Sequence, residues 1–431
     1  MDRFVGLDFG TTNSALAVAD ADGATLARFP LADGGSTSTF RSVLYFDPQV
    51  RDGAGAIGTF AGPEAIHRYL VGDGSGRLIQ SVKSYLASGL FQGTSVSGRT
   101  YALEDLVSVI LRELRAGAER DLGPLGRSAV VGRPVRFSNM ESAADEALAL
   151  ARMRTALGRA GFDDVVFEYE PVGAAHFYES GLDHDELVMI GDFGGGTSDF
   201  CLMRVGPTAR RGDTPRILGT EGVGLAGDAF DSELVERVVS PRLGMGGSYR
   251  SYLDGKVIAI PPWIFQKLRR WHHLSFLKSR DTLRFLQDIR SQAIEPARID
   301  ALLHLVEYDL GFQLYRVVEG AKVALSSHEA TDLTFIDPPV DVRETIPRAA
   351  FESWISAELS AIHGCVDRLL TATGVSAGDV DRVFLTGGSS LVPAVRAIFT
   401  RRFGEDRVRA GDALTAVALG LALRARAGDG R

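Results

Sequence analysis

The most constraining feature of this sequence is an acidic turn that occurs twice. The segments "VGLDFGTTNSALAVAD" and "VMIGDFGGGTSDFCLMRV" each end an apolar strand with an aspartate, Asp8 or Asp192. In both, a turn of small residues leads into a second apolar strand, which predicts a hairpin. The two copies lie much too far apart for a solenoid repeat, so the pattern predicts two similar lobes.

Both turns have the composition of a phosphate-binding loop. Glycines permit positive φ and let backbone N–H groups point into one concavity, while threonine hydroxyls add donors. Neither turn is a Walker A loop, because no Gly-Lys-Ser/Thr follows and no helix begins at once. Since carboxylates repel phosphates, Asp8 and Asp192 predict an intervening Mg²⁺ ion held mostly through its own waters. One such turn would equally fit a capped hairpin, but two in register argue against that alternative.

Strands and helices alternate along the rest of the chain, which predicts an α/β fold. "SAVVGRPVRF" predicts a buried strand, and "YEPVGAAHFYESG" predicts a turn at Pro171 before a helix. Apolar spacing predicts further helices over 101–120, 141–162, 227–243 and 311–327, and a terminal helix in "DALTAVALGLALRARAG". We expect lobe I over 1–183, lobe II over 184–404 with a variable insertion at about 244–312, and a C-terminal helix within 405–431 that packs back on lobe I.

Composition limits the class of protein. Hydrophobic residues make up 45% and charged residues 24% of the chain, as in soluble globular proteins. We find neither a secretory leader nor an apolar run of the ~18 residues that a membrane helix needs. Cys201 and Cys365 lie far apart without metal-ligand spacing. Because the formal charge is −8, nucleic acid is disfavoured as the main partner, and we expect a cytoplasmic protein.

Three further features could serve a nucleotide. "FLTGGSSLVPAV" places glycines between a strand and a helix, where a flat base or ribose could approach the backbone. Glu319, Lys322 and Ser326 share one helix face, which would equally suit a solvated Glu–Lys pair. Five of the 47 basic residues are lysines, and Lys83 is the one lysine in the first half. Because most basic positions in this chain are arginine, a lysine at this position suggests a role that needs a compact ammonium.

Taken together, the motifs resemble the nucleotide-binding domain of DnaK-type chaperones, the heat-shock-70 family of the actin-like ATPase superfamily. The shorter, YegD-like branch is the most similar in length and in "PPWIFQKLRRWHHLSFL". The matching segments span nearly the whole chain in the family's order: "GLDFGTTNSALAV", "SVKSYL", "VGRPVRFS", "AGFDDVVFEYEPVGAA", "GDFGGGTSDF", "GLAGDAFD", "EGAKVALSS" and "LTGGSSLVP".

This resemblance implies an actin-like ATPase (ribonuclease H-like) fold, with a mixed sheet flanked by helices in each lobe and a nucleotide cleft between them. It implies ATP or ADP with Mg²⁺ as cofactors. Lys83 would stabilise charge on the transferring phosphoryl group, Glu170 would position the attacking water, and Asp199 would lie near that water. Asp8 and Asp192 would order the Mg²⁺ shell. The implied nucleotide-binding residues are Gly10, Thr11, Thr12, Asn13, Gly194, Gly195, Gly196, Thr197, Gly227, Glu319, Lys322, Ser326, Gly387, Gly388 and Ser389.

The sequence departs from the family pattern in several places. Val323 and Leu391 stand where the family has arginines that flank adenine, so different base contacts are expected. The last acid of the pattern is out of register, with Asp412 as its substitute. The family's peptide-binding domain is not expected after "LRARAGDGR".

Residues 262–290 form a basic insertion with interleaved aromatic residues. This composition fits a surface for a protein partner or client, or an amphipathic helix pair with buried tryptophans, which we favour. Its basic and aromatic members are Lys267, Arg269, Arg270, Lys278, Arg280, Arg284, Arg290, Trp263, Phe265, Trp271 and Phe276.

The function expected from these residues is slow, Mg-dependent ATP hydrolysis by a nucleotide-controlled, chaperone-type switch. Two alternatives stay open. A small-molecule kinase of the same superfamily would use a substrate hydroxyl in place of water. A non-catalytic actin-like scaffold would use nucleotide only to set lobe closure.

Overall fold

The computed structural model describes residues 3–51, 53, 55–72, 76–209, 216–252, 254–270, 277–411 and 415–428. These residues form the predicted α/β structure. They divide into two compact units: unit 1 comprises Met1–Gly227 and Ser360–Arg431, and unit 2 comprises Asp228–Leu359. The lobe boundaries expected after residues 183 and 404 divide the chain differently and stay a prediction.

Strands and helices alternate as the sequence predicts. The strands are β1 Phe4–Phe9, β2 Asn13–Ala19, β3 Ala24–Leu26, β4 Phe29–Pro30, β5 Ser36–Thr37, β6 Phe40–Arg41, β7 Val43–Arg51, β8 Ile57–Ala61, β9 Arg77–Gln80, β10 Gly93–Val96, β11 Arg99–Ala102, β12 Ser128–Arg133, β13 Asp164–Tyr169, β14 Glu186–Phe193, β15 Ser198–Val205, β16 Ile217–Val223, β17 Ser248–Arg250, β18 Val257–Ala259, β19 Ala330–Asp337, β20 Val340–Pro347, β21 Arg382–Thr386 and β22 Val408–Ala410. The helices are α1 Gly62–Val71, α2 Leu103–Leu122, α3 Ala143–Arg159, α4 Glu170–Glu179, α5 Gly227–Leu234, α6 Ser240–Arg242, α7 Pro262–Leu268, α8 Arg280–Gln292, α9 Pro296–Glu307, α10 Gly311–Leu325, α11 Arg348–Trp354, α12 Ser356–Thr373, α13 Pro393–Phe403 and α14 Ala416–Gly428.

Two mixed sheets in unit 1 repeat one pattern. The first has the strand order β13-β12-β1-β2-β3, with β6 also beside β2, and the second has the order β16-β15-β14-β21-β22. In each, the strand before the acidic turn pairs antiparallel with the strand after it and parallel with a later strand. Both predicted hairpins are therefore present, and each acidic turn lies at one edge of its sheet.

Local sequence signals set the bounds of the helices. Helix α3 begins after Ser142, whose Oγ accepts a hydrogen bond from the Asp145 N–H, while the Asp145 carboxylate accepts one from the Ser142 N–H. Gly161 follows the helix with φ 93°. The prediction of a turn at Pro171 before the helix was wrong. Pro171 lies inside α4, in its first helical turn, where the missing N–H costs no hydrogen bond.

Helix α14 packs unusually close to its neighbours in unit 1. It contacts α4 and strands β1, β2 and β12. A Cβ on Gly6 would lie 2.2 Å from the Ala422 nitrogen, and one on Gly420 would lie 1.7 Å from the Gly173 oxygen. Small residues therefore let this helix lie directly on the sheet that carries Asp8. No helix among the described residues is long and apolar enough to cross a membrane.

In unit 2, the basic insertion contains the expected amphipathic helices. Helices α7 and α8 bury Ile264, Phe265, Leu268, Leu286 and Ile289. The Trp263 ring is half-buried and stacks on Phe285, with 6.0 Å between ring centroids. Trp271 and Phe276 lie outside the described residues.

Candidate functional site

One lysine and four carboxylates form a charged cluster in unit 1. Lys83 lies in a short 3₁₀ turn, Val82–Tyr85, and Glu170 is the first residue of α4. The Lys83 Nζ donates a hydrogen bond of 2.5 Å to the Glu170 Oε1, and both side chains are buried. The other three members, Asp8, Asp192 and Asp199, lie close enough to influence this pair electrostatically.

The two acidic turns meet, although their sequences are far apart. A Cβ placed on Gly196 would lie 3.3 Å from the Thr11 Oγ1 and 3.1 Å from the Ser138 Oγ. Gly194 closes its own turn by donating its N–H to the Thr197 oxygen at 2.9 Å. In the first turn, a Cβ on Gly10 would lie 2.0 Å from the Asn13 oxygen. Glycine is therefore required at Gly10, whereas a Cβ on Gly196 would need its neighbours to shift by a few tenths of an ångström, and the Thr11 hydroxyl lies beside the second turn.

The third glycine turn lies beside the second acidic turn. Strands β14 and β21 are parallel, with Asp192 opposite Thr386, so both strands end at the same edge of the sheet. Gly387 has φ 86°, and a Cβ there would lie 2.0 Å from the Phe193 oxygen. Gly388 is exposed with open space at its Cβ position, and Ser389 is buried. The N–H of Gly227 donates to the Gly194 oxygen at 3.4 Å.

The acids outnumber the lysine, and their pKa values reflect this imbalance. Burial, followed by the negative charge of Glu170, raises the pKa of Asp8 to about 7. The same two causes raise the pKa of Asp199 to about 7 and that of Asp192 well above its usual range. Burial alone would lower the pKa of Lys83, but the charges of Glu170 and Asp8 outweigh it, so the ammonium stays protonated.

Asp199 presents one oxygen to the protein backbone and keeps the other available. Its Oδ1 accepts hydrogen bonds from the N–H groups of Val135 at 2.8 Å and Arg136 at 3.2 Å. Its Oδ2 is buried and has no hydrogen-bond partner among the described residues, and the same is true of the Thr12 Oγ1. Buried oxygens of this kind are normally satisfied, so they indicate a missing ligand or water.

These groups fit a hydrated divalent cation. Within the described part of the chain, no three His, Cys, Asp or Glu side chains are placed to hold an ion directly. Asp8 and Asp192 can instead accept hydrogen bonds from the water shell that Mg²⁺ usually retains. A cation there would also relieve the repulsion that raises the pKa values of these two carboxylates.

The predicted nucleoside-binding residues of α10 lie in unit 2. The Lys322 Nζ donates to the Asp231 Oδ2 at 2.7 Å, which joins α10 to α5. Burial raises the pKa of Asp231 to about 6, against the opposing charge of Lys322. Glu319 adds negative charge near Lys322, and the Ser326 Oγ donates to the Lys322 oxygen at 3.3 Å.

The two apolar replacements are exposed in their own units. Val323, in unit 2, is 61% exposed, and Leu391, in unit 1, is 50% exposed. Asp412 lies outside the described residues.

The sequence analysis did not single out several residues that lie around the cluster. Ser138 and Asn139 connect the segment after β12 to the site: the Ser138 Oγ lies 3.5 Å from the Gly196 oxygen, and the Asn139 Nδ2 donates to the Ser84 oxygen at 3.2 Å. Arg133 and Arg152 are buried nearby. In a chain with 42 arginines such residues do not stand out, but Arg152 interrupts the apolar face of α3, which is a usable signal.

Comparison with known proteins finds similarity to the Hsp70 family. The model of the Hsp70 protein family matches residues 308–431. Chaperone protein DnaK of Thermus thermophilus is 26% identical over 453 residues, covering 99% of this chain and 61% of that protein. Chaperone protein DnaK of Thermosipho africanus is 24% identical over 431 residues, covering 98% of this chain and 58% of that protein. This chain thus spans about three fifths of the length of these relatives.

Proposed function

We propose that this member of the Hsp70 family, which has the actin-like ATPase fold, binds ATP or ADP at the paired acidic turns and slowly hydrolyses ATP. The observation that carries the proposal is the buried Lys83–Glu170 pair beside an Asp199 oxygen that has no partner among the described residues. A fixed cation and fixed carboxylates in one small volume suit phosphoryl transfer to water.

Each group has a distinct role in this mechanism. The N–H groups of Gly10–Asn13 and Gly194–Thr197 bind phosphate oxygens, and the Thr11 and Thr12 hydroxyls add donors. Lys83 stabilises the charge that develops on the transferring group. Glu170 and Asp199 orient the attacking water, and the pKa of Asp199, raised to about 7 mainly by burial, suits it to accept a proton. When bound, Mg²⁺ supplies further charge stabilisation at the phosphates.

The proposal extends to the rest of the nucleotide and to the wider role of the protein. Glu319, Lys322 and Ser326 would contact the adenosine, together with Gly227 and the Gly387–Ser389 turn. We place the chain in the YegD-like branch and in the cytoplasm, as a chaperone-type switch whose nucleotide state controls a protein partner. The basic segment of residues 262–290 is our candidate for the region that binds this partner.

Two measurements test the proposal. Calorimetry should detect binding of Mg-ATP, and its absence would refute the nucleotide site. Lys83→Ala should abolish hydrolysis while nucleotide still binds, because the ammonium acts on the transition state more than on the ground state. Lys256→Ala is the matched control, since the Lys256 side chain is 79% exposed and pairs with the nearby Asp254. Unchanged turnover in Lys83→Ala would exclude the assigned role.

A further inference from the structure

Helix α3 is joined to the segment that carries Lys83 by a single guanidinium group. Arg152 is buried, and its Nη1 donates its two hydrogens to the carbonyl oxygens of Tyr85, Leu86 and Ser88 at 3.2, 3.0 and 2.9 Å, with one hydrogen shared between two of these oxygens. Its Nη2 donates to the Phe91 oxygen at 3.0 Å. One side chain therefore satisfies four backbone acceptors of the turn that follows Lys83, which fixes the path of that turn.

The turn depends on such an anchor because its own backbone is unusual. Ser81, two residues before Lys83, is fully buried in the left-handed region at φ 55°. A non-glycine residue in this region costs about 1–3 kcal/mol and persists only where the surroundings enforce it. The backbone of Lys83 thus lies between the strained Ser81 and the carbonyls that Arg152 binds.

The same helix is also joined to the segment that holds Asp199. Glu146 of α3 pairs with the Arg133 Nη2 at 2.5 Å. The Arg133 Nε donates to the Pro134 oxygen at 3.0 Å, and its guanidinium lies 4.9 Å from the centre of the Tyr169 ring. The next two residues, Val135 and Arg136, donate the N–H groups that hold the Asp199 Oδ1. Tyr169 directly precedes Glu170.

We infer that Arg152 and Arg133 are positioning residues that use helix α3 to set the distance between Lys83 and the two water-orienting carboxylates. Neither arginine is needed to bind phosphate, since each is buried against carbonyl oxygens, a carboxylate or an aromatic ring. The inference rests on the proposed hydrolysis, but the anchoring of Lys83 can be measured without it. Misplacement of a catalytic group by about 1 Å can cost about 100-fold in rate, so small shifts of α3 would be visible kinetically.

The test compares Arg152→Met and Arg152→Lys with Arg154→Lys. Arg154 lies on the same helix, but its guanidinium contacts the Val165 oxygen and the Phe167 ring, away from Lys83. We expect single-turnover hydrolysis to fall about 100-fold in Arg152→Met and about 10-fold in Arg152→Lys, whose ammonium reaches fewer of the carbonyls. Affinity for Mg-ATP should change less than about threefold, because only the transition state needs the exact lysine position. Arg154→Lys should match the wild type.

A chemical readout keeps the inference separate from the proposed function. The lysine side chains, which react as neutral amines, are labelled with an N-hydroxysuccinimide ester, and the labelling rate at Lys83 is compared by mass spectrometry with that at exposed Lys256 in the same molecule. Lys83 should label several-fold faster in both Arg152 variants than in the wild type. Wild-type labelling and wild-type turnover in a folded Arg152 variant would overturn the inference. Faster labelling in a protein that never hydrolyses ATP would support the anchor and refute the proposed function.

Glu146→Gln tests the second anchor with a milder change, because Glu146 is partly exposed. It should lower single-turnover hydrolysis about 10-fold without altering Lys83 labelling, since it acts through Arg133 on the carboxylates. It also serves if the Arg152 variants fail to fold. Unchanged hydrolysis in Glu146→Gln would remove Arg133 from the inference.

Discussion

The charge imbalance at the site predicts that its two central residues differ sharply in their effect on stability. Lys83 supplies positive charge to a cluster that also contains the carboxylates of Glu170, Asp8, Asp192 and Asp199. Lys83→Met would leave these carboxylates without their cation. Glu170→Gln would instead remove one of several negative charges and leave Lys83 with other acids nearby. We therefore expect the lysine substitution to destabilise the protein far more than the glutamate substitution.

The magnitudes follow from burial of the pair. Removing one partner of a buried ion pair costs about 3–5 kcal/mol, because the remaining charge stays uncompensated. We expect a loss in this range for Lys83→Met. Glu170→Gln keeps an oxygen acceptor for the ammonium and relieves repulsion, so its cost should be about 1 kcal/mol or less. The double variant should be more stable than Lys83→Met alone by about 2 kcal/mol, since it removes one of the uncompensated charges.

Urea unfolding followed by circular dichroism measures these differences as shifts in the transition midpoint at constant slope. The buffer should be free of Mg²⁺ and nucleotide, which would stabilise the folded state by binding. A pH of about 8.5 keeps Asp8 and Asp199 ionised, because their pKa values are about 7, raised first by burial and then by the charge of Glu170. Equal costs for the two single variants, or a larger cost for Glu170→Gln, would refute the idea that negative charge is in excess.

Two further predictions concern stability elsewhere in unit 1. Burial opposes the ionisation of Glu179, but hydrogen bonds from His176 and the Gly206 N–H and the charge of Arg216 lower its pKa to about 2. The contribution of Glu179 to the free energy of unfolding is therefore present above about pH 4.5 and is lost as the pH falls towards 2. In urea unfolding, Glu179→Gln should cost about 2 kcal/mol at pH 7, after solvent screening, and little at about pH 2.5. An equal cost at both pH values would contradict this prediction. Gly387→Ala should cost about 3 kcal/mol or more, because φ is 86° and the new Cβ would lie 2.0 Å from a backbone oxygen, whereas Gly388→Ala, with open space at its Cβ, should cost less than about 1 kcal/mol.

The parts of the fold that follow from periodic patterns were predictable. The acidic hairpins, the strand before Pro134 and helices α2, α3 and α10 all lie within a few residues of their predicted bounds. Each has its own apolar repeat and end signals, so no distant contact was needed to recognise it. The turn expected at Pro171 failed because proline is compatible with a loop and with the first turn of a helix.

The contacts that fix the site were not predictable in the same way. Nothing in the sequence indicates that Asp231 would form a hydrogen bond to Lys322, because that contact depends on how α5 packs against α10. The anchoring of the Lys83 turn by Arg152 joins residues 66 positions apart and uses backbone carbonyls, which carry no sequence signal. Patterns reveal which residues could be catalytic, and tertiary packing decides what holds them in place.

The two acidic turns share a sequence pattern, but they contribute different groups at the place where they meet. The first turn carries hydroxyls, and the second carries glycine where those hydroxyls need room: a Cβ on Gly196 would crowd the Thr11 Oγ1 at 3.3 Å and the Ser138 Oγ at 3.1 Å. A side chain at position 196 would force these hydroxyls to shift, and two glycine-rich turns would offer fewer hydroxyl donors. The difference between "GTTN" and "GGGT" therefore eases the close approach of the two turns, and in the proposed mechanism it lets the backbones of both turns face the phosphates of the nucleotide.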